Sequence, residues 1–181
     1  CMLFSLFAMA DNWNATMYNQ IEQSVKDPSF PDRTFNITSY GATPKASAAK
    51  NQKAINTAIS ICAKKGGGRV IVPAGTFNTG AITLKSNVNL EIQKDAKLVF
   101  VFDKKLYPIV KTRWEGMDCM NYSPCIYAYN EKNVAITGDG TIDGSGSNET
   151  WWKWCGKDRF GWTPDLKESQ KIGRPKLFEY S

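Results

Sequence analysis

The N-terminal part of the chain carries apolar residues at helical spacing. Met17, Ile21 and Val25 recur at every fourth position after Asn14, a residue type that caps helices. Asp27-Pro28 follows, and a proline at this point ends a helical pattern. The spacing predicts a short helix before Pro28, which we interpret as a packing arm rather than as a site.

A second helix is predicted between Lys50 and Lys65. Its apolar positions share one face, namely Ile55, Ala58, Ile59 and Cys62. The opposite face carries Lys53, Asn56 and Ser60. Three consecutive glycines at positions 66–68 then break the pattern. The sequence therefore predicts one amphipathic helix here.

From Arg69 onward the pattern changes to short β-rich runs separated by Gly, Asn, Asp and Pro. The runs are residues 70–72, 81–84, 88–92, 98–102, 126–129 and 134–137. Two of them resemble each other, since 87–92 leads to 96–99 and 133–137 leads to 140–143. A β-helix needs such short strands with Asn and Gly at the corners, because each coil buries its inward residues against the next.

A β-sandwich is the competing fold on this pattern. Its hairpins would favour Asn-Gly or Asp-Gly turns between strands of equal length. The two pairs here, Asp139-Gly140 and Asp143-Gly144, lie too close together to form two hairpins. We interpret these aspartates as caps of their own backbone rather than as a catalytic pair.

Composition and charge narrow the function classes. The 181 residues suffice for one domain or part of one, and the composition is neither disordered nor fibrous. Lys and Arg outnumber Asp and Glu by 23 to 17, a surplus that attracts anionic partners. The basic residues are scattered along the sequence and match no motif that recognises nucleic acid. We therefore expect no nucleic-acid partner.

Residues 1–10 are apolar and end in Ala8-Met9-Ala10, the small-x-small pattern of a signal-peptide end. We interpret them as a signal-peptide remnant, with a mature chain that starts near Asp11 and a location that is secreted or periplasmic. A lipid on Cys1 is the less favoured alternative. No stretch predicts a membrane span.

The remaining cysteines are Cys62, Cys119, Cys125 and Cys155. An even number in an exported protein leaves a disulfide open, with Cys119 and Cys125 as the favoured pair. Buried thiols are the alternative, above all for Cys62 on the apolar helix face. Zinc is disfavoured, because the chain has no Cys-x-x-Cys pair and no His.

Several segments resemble known pectinases. Residues 35–42 (FNITSYGA) and 66–75 (GGGRVIVPAG) resemble the entry to pectinase-type β-helices. A more specific set resembles polygalacturonases of glycoside hydrolase family 28: 107–116 (YPIVKTRWEG), 126–128 (IYA), 136–144 (ITGDGTIDG) and Trp151-Trp152. The resemblance implies an all-β fold, a single-stranded right-handed parallel β-helix of the pectin lyase-like type with an N-terminal helical cap.

The resemblance also implies a domain plan and an activity. Residues 11–30 would form a helical arm, and 31–181 the N-terminal part of a truncated β-helix hydrolase domain. The full-length protein would be a monomeric inverting glycosidase that hydrolyses galacturonosyl linkages in pectin without a cofactor or a metal. Pectin or another galacturonate-containing polysaccharide is then the expected partner.

Catalytic residues of that family are missing from this chain. The family uses Asn-x-Asp, Asp-Asp, Gly-His-Gly and Arg-x-Lys, and only the last occurs here by letter, as Arg174-Pro175-Lys176. We interpret that match as a coincidence. Inverting hydrolysis needs one carboxylic acid and one carboxylate on a rigid surface. The 181-residue chain is therefore expected to be inactive alone.

Substrate contact is what this portion can contribute. Arginine holds a carboxylate bidentately, and tryptophan offers a flat face to a sugar ring. The candidates are Arg113, Trp114, Glu115, Trp151 and Trp152. The alternative is structural: an ion pair between Arg113 and Glu115, with the tryptophans packed under a loop.

Two rival functions stay open on the sequence. A pectate lyase would need a calcium site of clustered acidic residues, and the sequence shows no such cluster. A non-catalytic β-helix that only binds polysaccharide is the other rival.

Overall fold

The structure, a computed structural model, describes residues 15–114 and 116–154. Two α-helices are present in these ranges, α1 (Ala15–Ser24) and α2 (Ala48–Lys64). The strands are β1 (Thr34–Asn36), β2 (Gly68–Val72), β3 (Gly75–Thr79), β4 (Ile82–Thr83), β5 (Val88–Ile92), β6 (Ala96–Phe100), β7 (Ile109–Trp114), β8 (Met117–Tyr122), β9 (Ile126–Tyr127), β10 (Ala135–Thr137) and β11 (Thr141–Asp143). None of the described helices is long and apolar enough to cross a membrane.

Most strands stack in parallel on the strand of the neighbouring coil. One sheet has the order β1-β2-β5-β10, a second has β11-β6-β3, and a third pairs β4 with β9. Val70 lies opposite Leu90, which in turn lies opposite Ile136. Because consecutive strands fall in different sheets and each pairs with its counterpart one coil later, the chain forms a parallel β-helix. The β-sandwich alternative is excluded by this parallel pairing.

Alternating residues of each strand fill one core. In β5 the inward side chains Val88, Leu90 and Ile92 are at most 2% exposed. In β6 the core receives Leu98 and Phe100, which are fully buried. Inward residues stack on inward residues of the next coil, so a single apolar column runs through the coils.

Helix α2 packs its apolar face against this core, as the spacing of its apolar residues predicted. Ile55, Ala58, Ile59 and Cys62 are fully buried in the same cluster as the strand residues. The helix begins two residues earlier than the predicted Lys50, because the Ser47 hydroxyl accepts a hydrogen bond from the Lys50 N–H at 3.3 Å.

Asn56, on the polar face of α2, is half-buried and bonds the backbone of a neighbouring loop. The Asn56 amide donates to the Ala81 carbonyl at 3.1 Å, and its side-chain oxygen accepts from the Thr83 N–H at 2.8 Å. Asn51, fully buried, bonds Thr43 and Asn78 in the same way. These amides satisfy loop backbone that the coils leave unpaired.

Asparagines form the corners between the coils, as the repeat predicted. Asn87 and Asn133 both have positive φ, 63° and 53°, and precede β5 and β10 at equivalent positions. The Asn133 amide donates to the Asn87 side-chain oxygen at 3.0 Å and to the Ser29 carbonyl at 2.8 Å. Asparagine suits this corner because it tolerates the left-handed region and bonds its neighbour one coil away.

The antiparallel hairpin β7–β8 was not predicted. Ile109 pairs with Tyr122 at its base and Trp114 with Met117 at its tip, where Gly116 has a φ of 87°. The hairpin lies between β6 and β9 and lengthens that coil, since Ile82 pairs with Ile126, 44 positions later, whereas Val70 and Leu90 are 20 apart. The hairpin is therefore an insertion on the β-helix.

Helix α1 confirms the first predicted helix, although Asn14 lies outside the described residues. Its apolar residues Met17 and Ile21 are 52% and 51% exposed, and Val25, which follows the helix, is 68% exposed. The assignment of residues 11–30 as a packing arm stays a prediction.

Candidate functional site

Hairpin strand β7 presents two cations on one face. Lys111 and Arg113 are two positions apart, so their side chains point the same way, and both are exposed. Asp118 lies opposite Arg113 on β8. The Arg113 Nε donates to the Gly116 carbonyl at 3.0 Å. Within the described residues the Arg113 guanidinium forms no ion pair. The alternative ion pair with Glu115 falls on a residue outside the described ones and stays a prediction.

A groove of about 390 Å³ separates this hairpin from the strand that follows it. Its lining includes Lys111, Arg113 and Asp118 on one side and Tyr127 and Tyr129 on the other. Among the described residues of the lining two cations face one carboxylate, so this part of the groove has an excess of positive charge. An anion of about the size of one sugar ring is the ligand that this volume and charge suit.

The two tyrosines form one aromatic wall. Their ring planes are 13° from parallel, with centroids 6.4 Å apart. The Tyr127 hydroxyl donates to the Lys111 carbonyl at 2.7 Å and so ties the wall to the hairpin. The Lys111 Nζ lies 5.9 Å from the centroid of the Tyr129 ring, within range of a cation–π contact.

A carboxylate anchors the loop that carries Tyr129. Glu131 accepts hydrogen bonds from the Ser86 N–H at 2.7 Å, the Ser86 hydroxyl at 2.6 Å and the Lys85 Nζ at 3.0 Å. These donors, the Ser86 hydroxyl foremost, lower the pKa of the Glu131 carboxyl. The loop is thereby fixed to the previous coil.

Trp151 and Trp152 lie outside the groove lining that the described residues form. Trp151 is half-buried and meets the rings of Phe102 and Tyr107 edge-on, with both centroid distances at 4.9 Å. Trp152 is 48% exposed and packs against Gly146. Trp114 ends β7 with its side chain outside the described set, and Glu115 lies outside it altogether. Of the three predicted residues whose side chains the structure describes, Arg113 lines the groove, and Trp151 and Trp152 do not.

Asp143 has the predicted structural role. One of its oxygens accepts from the Ser145 N–H at 2.8 Å, and the other pairs with the Lys97 Nζ at 2.9 Å. The hydrogen bond from Lys97, followed by that from Ser145, lowers the pKa of this carboxyl. Asp143 is thus a turn cap held by a lysine.

The disulfide prediction was wrong for the favoured pair. Cys119 and Cys125 are free thiols, and Cys62 is a buried free thiol. Burial raises the pKa of Cys125, whose thiol is in hydrogen-bond contact with Tyr107. Cys155 lies outside the described residues. Among the described residues, no three His, Cys, Asp or Glu side chains cluster as metal ligands would.

Sequence reasoning missed Lys111, Asp118, Tyr127 and Tyr129. The available signal was alternation, since Lys-x-Arg and Tyr-x-Tyr each place two side chains on one face of a strand. The alternation of side chains along each strand does not show that the hairpin face and the tyrosine face lie on opposite sides of one groove.

Comparison with known proteins shows sequence similarity to polygalacturonases. It is 37% identical over 112 residues to a probable polygalacturonase of Vitis vinifera, covering 57% of this chain and 22% of that protein. It is 33% identical over 122 residues to an exo-poly-alpha-D-galacturonosidase of Dickeya chrysanthemi, covering 63% of this chain and 20% of that protein. The chain thus spans about a fifth of the length of these curated relatives. No family model matches it.

Two solved structures share the fold. A hyperthermoactive exopolygalacturonase from Thermotoga maritima matches with a TM-score of 0.74 and 39% identity, over 90% of this chain and 39% of that one. A family 28 exopolygalacturonase from Yersinia enterocolitica matches with a TM-score of 0.55 and 32% identity, over 64% of this chain and 21% of that one.

The stacked parallel coils define a parallel β-helix protein, and the sequence matches fall on enzymes of one kind. The chain is similar in sequence and in fold to polygalacturonase-type enzymes, of which it covers a part. The resemblance predicted from its motifs is confirmed.

Proposed function

We propose that the whole protein hydrolyses galacturonosyl linkages in pectin, and that this chain forms its N-terminal coils and part of its substrate groove. The observation that carries the proposal is the groove itself, where exposed Lys111 and Arg113 face the tyrosine wall. A galacturonate chain repeats an anionic pyranose, and the groove combines cationic and aromatic side chains that suit one. The named activities of the relatives support the same substrate class.

The acid and the base of the reaction are proposed to lie in coils that this chain does not contain. Inverting hydrolysis needs two carboxyl groups about 6.5–9.5 Å apart, with room for a water. Among the described residues, Asp118 contributes one carboxylate to the groove lining. Asp143 is bound to Lys97 in a turn. This chain would therefore hold the substrate while later coils cleave it.

Finer features of the fold and location are also proposed. We take the coil as right-handed, because parallel crossover connections have that hand almost without exception. Helix α2 would serve as the cap of the first coils, since its buried face joins their core. Export with Asp11 as the first residue, to the periplasm or outside the cell, and a monomeric full-length protein complete the proposal.

Replacing Arg113 tests the groove as a substrate site. In the whole protein, Arg113→Ala should raise KM for polygalacturonate by about 10- to 150-fold, which corresponds to about 1.5–3 kcal/mol of lost charge-assisted hydrogen bonding. Arg113→Lys should recover only part, because an ammonium lacks the bidentate fork. Initial rates over a range of substrate concentrations measure both.

Lys53→Ala is the matched control, because it removes one positive charge from the exposed side of α2, outside the groove lining. It should leave KM unchanged. An Arg113→Ala enzyme with normal KM and a lowered Tm would show that Arg113 is structural and would remove the groove from the proposal.

A further inference from the structure

We infer that the groove is a subsite for a single hexuronate residue, in which Tyr129 stacks on the pyranose and Lys111 pairs with its carboxylate. The inference rests on the proposed function and deepens it, because it assigns two groove residues a substrate contact of stated chemistry. It also predicts that Lys111 and Tyr129 respond differently to a methyl ester of the sugar.

The aromatic wall is ordered before any ligand binds. Tyr127 is held by its hydrogen bond to the hairpin backbone, and Tyr129 lies beside it with 46% of its surface exposed. The Glu131 contacts with Ser86 fix the loop two residues beyond Tyr129. A ring that is already in place loses little conformational entropy on binding, which favours it as a stacking surface.

Lys111 is placed to meet the acidic group of a sugar on that ring. Its ammonium lies 5.9 Å from the Tyr129 centroid on a flexible stem, and it forms no ion pair within the described residues. A pyranose that covers the ring would displace this weak cation–π contact, and the ammonium would then pair with the sugar carboxylate. Aromatic stacking and charge pairing thus act on the same residue of the substrate.

The uronate must be ionised and unesterified for both contacts to form. A methyl ester keeps the pyranose but removes the negative charge, so it loses the Lys111 pairing and keeps the stacking. The difference in affinity between the acid and the ester therefore measures the contribution of Lys111 at this subsite.

Binding of a short oligogalacturonate and of its methyl ester by the whole protein, measured by titration calorimetry, tests this subsite. Tyr129→Ala should weaken both ligands by about tenfold, whereas Tyr129→Phe, which keeps the ring, should bind both as the unchanged protein does. Lys111→Met should weaken the acidic ligand by about tenfold and the ester by less than about twofold. Lys111→Arg should restore most of the loss.

The outcomes separate this inference from the proposed function. If the unchanged protein binds the oligogalacturonate and Lys111→Met and Tyr129→Ala bind it equally well, the subsite is wrong and the proposed function stands. If the unchanged protein binds neither ligand, both fail. If circular dichroism shows that Tyr129→Ala does not fold, the Lys111→Met variant tests the subsite without it. In that case the loss of affinity for the acidic ligand is compared with the loss for the ester.

Discussion

Replacing Gly138 with alanine should abolish folding or remove at least about 4 kcal/mol of stability. Gly138 has a φ of 99°, a region that side chains other than glycine rarely adopt. A Cβ there would lie 2.1 Å from the Ile92 carbonyl oxygen and 2.8 Å from its carbon, both backbone atoms of the previous coil. Neither atom can move away without separating the two coils.

Two other glycines provide matched controls for the same substitution. Gly116 at the hairpin tip has a φ of 87° but nothing within 4 Å of an added methyl group, so Gly116→Ala should cost about 1 kcal/mol of strain alone. Gly144 has neither a positive φ nor a close neighbour, so Gly144→Ala should be near neutral. Urea unfolding of the three variants measures how much free energy of unfolding each substitution removes. A Gly138→Ala protein as stable as Gly144→Ala would refute the stacking described here.

The second large effect is expected at Leu90. This side chain is fully buried between Val70 of one neighbouring coil and Ile136 of the other. Leu90→Ala should lower the free energy of unfolding by about 2–5 kcal/mol, through lost apolar burial and the cavity left behind.

Ile136 provides the comparison, because it occupies the same inward position one coil later. It is 44% exposed, as is its counterpart Ile142 at 43%, which lies in register with buried Leu98. In the 181-residue chain Ile136→Ala should therefore cost less than about 1 kcal/mol. In the whole protein, where we propose that another coil covers it, the cost should rise toward that of Leu90→Ala. Equal losses at both sites in the 181-residue chain would contradict this register.

Much of the fold followed from local pattern, and the exceptions have physical causes. The run 88–92 was predicted with its observed bounds because its inward residues alternate cleanly. Strand β3 was missed since only Phe77 and Thr79 of its five residues point inward and are buried. The hairpin was missed because its pairing depends on partners across the turn, such as Arg113 with Asp118, rather than on apolar alternation.

The candidate site was predicted less completely. Arg113 was found because its residue type suits a polyanion, and the structure places it in a groove. Tyr127 and Tyr129 were missed, because they reach the hairpin only once β9 has paired with β4. Trp151, chosen for its flat face, packs against Phe102 and Tyr107 instead. Residue type indicates chemistry, whereas the grouping of side chains depends on the coils.

The products that the whole protein forms from polygalacturonate test the central claim most directly. Hydrolysis should release reducing ends without the unsaturated uronate that elimination would form, and the 181-residue chain assayed beside it should release none. Unsaturated products would identify a lyase, and binding without cleavage would identify a polysaccharide-binding β-helix. Either result would contradict the proposed hydrolase, and reducing ends from the 181-residue chain itself would contradict the placement of the acid and base in later coils.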